Sequence, residues 1–107
     1  MENNNNILQL ETEIGNVLRN IYDPEIPVNI FDLGLIYEVN VDDNNNVEIK
    51  MTMTAPNCPM ADELLAEVTE KVKAIPGVKG FNLILTFDPS WSKEMMTEEA
   101  MLELGLL

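Results

Sequence analysis

The chain has a single cysteine, Cys58, and no histidine. Thiol or thiolate-ligand chemistry would therefore run through one residue. Cys58 stands in the run Thr54-Ala55-Pro56-Asn57-Cys58-Pro59, directly before a stretch patterned as an amphipathic helix. Pro59 suits the first helical position, where its missing N–H costs nothing. Cys58 is then expected at or just before a helix N-terminus, among unpaired N–H groups and the positive end of the dipole. That setting favours the thiolate, which is both nucleophile and metal ligand. The net charge of −13 works the other way, Asp62 and Glu63 follow closely, and no Lys or Arg is near in sequence. A thiol that is available without being strongly acidic suits a metal or cluster ligand, where the ion itself displaces the proton. The competing reading is a small buried apolar residue, the common fate of a free cysteine.

The absent imidazole removes several mechanisms. Ser-His-Asp and Cys-His hydrolysis lack their base, and Cys/His zinc sites cannot be assembled from one cysteine. The five glycines are scattered, with no phosphate-cradling loop. The chain is expected not to be an enzyme. Asp23 and Glu25 bracket Pro24, and Asp88 precedes Pro89. Each carboxylate is either a turn former or part of a polar rim around a Cys58 pocket. Trp91, the one tryptophan, either pins its loop on the core or anchors a partner.

The elements that must position these residues follow from periodicity. Ile7, Leu10, Ile14, Val17, Leu18 and Ile21 recur at helical spacing, predicting a helix over 7–21. Pro24 and Pro27 end it. The segment 23–34 is long and unusually apolar for a connection, so it must pack on something or hold something. Leu35, Tyr37, Val39 and Val41, then Val47, Ile49, Met51 and Met53, alternate with largely polar neighbours, and Asp42-Asp43-Asn44-Asn45-Asn46 supplies a hairpin turn. A helix over about 59–75 ends at Pro76-Gly77. A strand over about 78–87 places Phe81, Leu83, Leu85 and Phe87 on one face. Thr97 is an N-cap for a short last helix closed by Gly105.

The order helix-strand-strand-helix-strand-helix gives an α/β (α+β) two-layer domain, with a small three-stranded mixed sheet covered by helices on one face. If the second and third strands run parallel, Asp88 and Cys58 share one edge of the sheet. Residues 1–6 are expected as a disordered Asn-rich tail and 7–107 as a single domain.

Composition narrows the partners. With 107 residues, 46% hydrophobic, one core is feasible. A lone cysteine fits a reducing compartment. No secretory signal or unbroken apolar stretch of about 18 residues is present, so the protein is expected to be cytoplasmic, with no membrane. Six basic residues against 19 acidic ones leave no footprint for nucleic acid. The acidity reads as solubility, or else as a docking surface for a basic partner.

Taken together, several segments resemble a known family. Asp23-Pro24-Glu25-Ile26-Pro27-Val28-Asn29-Ile30, Asp32-Leu33-Gly34-Leu35-Ile36-Tyr37, Met51-Thr52-Met53-Thr54-Ala55-Pro56-Asn57-Cys58-Pro59, Pro76-Gly77-Val78 and Asp88-Pro89-Ser90-Trp91 occur in the order of the SufT/PaaD-like iron–sulfur cluster assembly factors. The chain looks most like the stand-alone SufT type. The resemblance implies a fold similar to the C-terminal domain of iron–sulfur scaffolds, and a role in carrying or delivering clusters to recipient proteins. Cys58 resembles the family's functional thiol, and Asp23, Glu25, Thr54 and Asp88 match motif positions near it. With Pro56, Pro59 and Trp91 these are the expected lining of the site. A cluster usually takes four thiolates, and one chain offers one. It would be a transient cluster shared between two chains, as in a homodimer, or completed by a partner or small thiol. Assembly proteins and client apoproteins are the implied partners. The alternative is an adaptor whose loops 24–34 and 89–96 dock clients without binding a cluster.

Overall fold

The central strand carries the clearest alternation in the chain. In the computed structural model, which describes residues 2–23, 26–54 and 61–106, three strands form one sheet: β1 (Ile36–Val41), β2 (Asn46–Met51) and β3 (Gly80–Leu85), in that spatial order. β1 and β2 are an antiparallel hairpin; β2 and β3 run parallel, with Val47 opposite Phe81 and Met51 opposite Leu85. Val47, Ile49, Met51 and Met53 are all buried, so the middle strand supplies the floor of the core. The opposite face is polar: Lys50 pairs with Glu38 at 3.5 Å, and Asn82 donates to Glu48.

β1 departs from strict alternation. A bulge between Ile36 and Glu38 shifts the register, so Ile36 lies opposite Met51 while Glu38 lies opposite Lys50. The extra residue turns Ile36, Val39 and Val41 toward the core and leaves Tyr37 outside the simple two-face pattern. At the hairpin tip Asn45 takes a φ of +63°, and the Asp42 carboxylate accepts from the backbone N–H groups of Asn44 and Asn46.

Helices α1 (Glu2–Leu18) and α2 (Ala61–Lys73) cover the apolar face. Leu10, Ile14 and Leu18 of α1 meet Leu64, Val68 and Val72 of α2 over the strand floor. α1 begins before the position that periodicity indicates, taking in the Asn run expected as a tail. It also stops earlier. Asn20 and Ile21 donate three residues back, to Val17 and Leu18, and this tightening releases the chain while Ile21 remains buried. α2 has Asp62 and Glu63 in its first turn and Lys71 and Lys73 in its last, matching the dipole. After a short 3₁₀ turn, Lys93–Met95, the last helix α3 (Glu98–Glu103) starts at Thr97, whose hydroxyl accepts from the Ala100 N–H as expected of an N-cap. Among the described residues no helix is long and apolar enough to cross a membrane.

Candidate functional site

The segment between α1 and β1 is the first part of the site. Tyr22 and Asn29 form an isolated antiparallel bridge, and Ile30 donates to the Ile21 carbonyl. Asp23 is buried, and its Oδ1 accepts from Ile26 N–H at 2.9 Å, the turn-forming geometry anticipated for it. Next comes one closed turn. Asn29 Oδ1 accepts from Asp32 N–H at 2.8 Å, and Asn29 Nδ2 donates to Asp32 Oδ2 at 2.9 Å. Gly34 N–H returns to the Phe31 carbonyl and Leu35 N–H to that of Ile30, the paired bonds of a Schellman closure around Gly34 at φ +86°. Val28, Ile30, Leu33 and Leu35 are thereby buried. The apolar connection is part of the core.

That turn in turn holds the segment after β3. Trp91 Nε1 donates to the Leu33 carbonyl at 2.7 Å, and Thr97 N–H donates to that of Asp32 at 2.9 Å. The Met95 backbone lies so close to Gly34 that a Cβ there would overlap its carbonyl. Tyr37, freed by the bulge, donates its hydroxyl to the Pro89 carbonyl at 2.7 Å. Of the two readings of Trp91, the indole takes the structural one and pins its loop.

Topology gathers the remaining candidates. Because β2 and β3 are parallel and in register, Thr54 and Asp88 lie equally far beyond the opposed pair Met51 and Leu85. Thr54 is half-buried. Asp88 is exposed, its N–H donating to Thr86 Oγ1. β1 begins at the same edge, where Thr52 N–H donates to the Leu35 carbonyl. The edge therefore collects the connection into β1, the end of β2 and the Asp88–Trp91 turn. Glu25, Pro56, Cys58 and Pro59 lie outside the described residues; the run 55–60 joins Thr54 to Ala61 at the start of α2. Among the described residues, no cluster of three or more carboxylates or other ligating side chains could hold a metal ion.

Three features of the site stand out in the structure more than in the sequence: the 29–34 turn, the Tyr37 hydroxyl and the buried Thr52. Asn29, Asp32 and Gly34 form the turn that organises the edge, and their spacing of cap, return and stop is a signal that could have found it. Tyr37 falls in the strand pattern and in the Asp32–Tyr37 motif, and neither marks its hydrogen bond to Pro89. Thr52 is fully buried, its hydroxyl without a hydrogen-bond partner among the described residues, and its residue type does not announce that burial. A separate groove of about 520 Å³ runs between α1 and β1, with Arg19 stacked 4.5 Å over Phe31 at its wall, and none of its lining residues belongs to the candidate set.

Fold and edge together define a small two-layer α+β domain whose one cysteine falls, in sequence, between the central strand and α2. The iron–sulfur cluster assembly protein family matches residues 11–82. An Fe-S protein maturation auxiliary factor of Porphyromonas gingivalis is 57% identical over 97% of this chain and 99% of its own. The Fe-S protein maturation auxiliary factor SufT of Staphylococcus aureus is 35% identical over 80% of this chain and 98% of its own. A domain of unknown function from Bacillus anthracis superposes with a TM-score of 0.87 at 36% identity, covering 95% of this chain and 97% of that one. The chain belongs to the iron–sulfur cluster assembly protein family. Assembly and maturation of iron–sulfur proteins is accordingly its function, as its motifs indicate.

Proposed function

We propose that this protein carries iron–sulfur clusters, or helps deliver them, with Cys58 as its own ligand and without catalysing a reaction. The observation that carries this reading is the parallel β2–β3 pair. Its register brings Thr54, four residues before Cys58 in sequence, and the Asp88–Trp91 turn to one edge of the sheet. Relatives bear the same kind of name: an iron-sulfur cluster carrier protein of Mycobacterium leprae is 25% identical over 75% of this chain, though this chain spans only 21% of its length.

The ligand count shapes the proposal. One thiol per chain cannot complete a cluster that takes four. A second chain, an assembly protein, a client apoprotein or a small thiol must supply the rest. A cluster held that way is labile, and lability suits hand-over better than storage. Absence of histidine and of a cationic neighbour in sequence argues against a standing thiolate nucleophile. Anaerobic reconstitution of the wild type beside Cys58→Ser, read by visible absorption, tests the ligand role. The serine variant is expected to lose the cluster bands; equal cluster content in both would remove Cys58 as ligand and leave docking of clients as the remaining role.

A further inference from the structure

We propose that the outer edge of β3 is a self-association surface, where a second copy of this chain adds its own β3 antiparallel about a two-fold axis. The sheet order leaves β3 at an edge. Thr86 N–H donates inward to the Met51 carbonyl, so by alternation the N–H and C=O groups of Phe81, Leu83 and Leu85 point outward. Among the described residues nothing pairs with them.

Sheet edges left open in this way are normally protected by charge, proline or a bulge. β1, the other edge, has the bulge, Glu38 and Asp42 at its end. β3 has none of these. In a chain that is 23% charged, residues 80–87, Gly-Phe-Asn-Leu-Ile-Leu-Thr-Phe, carry no charge. Leu85 and Phe87 stand 40% and 37% exposed, on the same side as the half-buried Phe81 and Leu83.

The alternation of the strand limits the register. Outward-pointing residues must face each other, so the two-fold axis passes through an odd-numbered position or its even neighbour, and centring on Leu83 pairs Phe81 with the second copy's Leu85. That register covers the exposed leucine twice and places Asn82 beside the second copy's Ile84. It leaves no like-charge pair in the ladder. At each end it brings exposed Lys79 next to the turn bearing the second copy's Asp88, an opposite-charge contact in a molecule of net charge −13. An acidic protein can pair with itself most easily where its acids are missing and a lysine meets an aspartate. The proposal does not depend on Cys58 or on any bound cluster.

Sedimentation equilibrium of the full chain, together with amide exchange, tests this. The wild type is expected to dimerise below millimolar concentration, and the Phe81, Leu83 and Leu85 amides should gain protection as concentration rises. Leu85→Lys, at an exposed position that tolerates the change, should weaken the dimer at least about tenfold, since each substitution acts twice across the axis. Asn40→Lys on β1 should leave it intact. A wild type that stays monomeric to millimolar concentration overturns the proposal. So does a dimer indifferent to Leu85→Lys, or one in which those amides remain unprotected.

Discussion

Thr52 carries a hydroxyl that is fully buried and has no hydrogen-bond partner among the described residues. Such a group loses its water on folding and regains nothing from the described residues, so an apolar isostere should do better. Thr52→Val is expected to raise stability by about 1 kcal/mol, read from urea unfolding. A loss instead would show that the hydroxyl is satisfied in solution. Trp91 offers the opposite test. Its indole N–H meets the Leu33 carbonyl at 2.7 Å, partly buried. Trp91→Phe keeps most of the ring and removes the donor, and should cost about 1 kcal/mol. An unchanged urea midpoint would return Trp91 to the role of a partner anchor. The carboxylates show why burial is hard to read from residue type. Asp23 is buried and Asp88 exposed, although both precede a proline in similar motifs. Beside Asp23 stands the Tyr22–Asn29 bridge, and among the described residues no isolated bridge stands beside Asp88.

At the scale of elements, the one-turn motif closing at Gly34 joins the core to the edge. Gly34→Ala meets two penalties, a left-handed backbone at φ +86° and overlap with the Met95 carbonyl. It should destabilise by about 2 kcal/mol or more, and near-wild-type unfolding would show that residues 93–97 can move away freely. The hairpin tip makes a pH prediction. Asp42 is held below the ordinary aspartate range first by the Asn46 backbone N–H, then by the Asn46 side chain. A lowered folded-state value means stabilisation that is complete above the unfolded value of about 4 and lost as pH falls through the folded one. Asp42→Asn should flatten that acid limb of the stability curve; an unchanged limb would discount the turn. Much of this architecture is legible in the sequence. Alternation in β2, the stripes of α1 and α2, Thr97 as cap and the parallel return of β3 all follow from local patterns that tertiary packing reinforces. The bulge at Ile36–Glu38 does not, because pairing with β2 sets it rather than any property of β1 alone. A single turn such as 29–34 is likewise too short for a hydrophobic period to show, and only the spacing of Asn29, Asp32 and Gly34 marks it. The same limit explains why the chemical candidates are legible as residue types while the turn that assembles their edge shows only as that spacing.

The whole molecule is dominated by its charge. Nineteen acidic residues face six basic ones within a radius of gyration of 14.1 Å. The ion pairs among the described residues, Lys50–Glu38 and Lys71–Glu67, are both solvent-exposed. Pairs of that kind contribute at most about 1 kcal/mol each. Self-repulsion spread over the surface should outweigh them. Salt shortens the reach of both, to about 10 Å at 0.1 M, which is less than the size of the molecule. Repulsion acts over longer distances than the two contacts, so it is the larger loss on screening. Added sodium chloride should therefore raise the urea midpoint, and a midpoint that falls would mean that local pairs outweigh the global field. The same screening bears on β3. Bringing two molecules of charge −13 together costs more at low salt, whereas the apolar ladder between residues 80 and 87 is indifferent to it. Dimerisation should tighten as salt rises, and Leu85→Lys should weaken it at every salt concentration. If Leu85→Lys instead strengthened association by reducing net charge, electrostatics rather than the strand edge would govern how these chains meet.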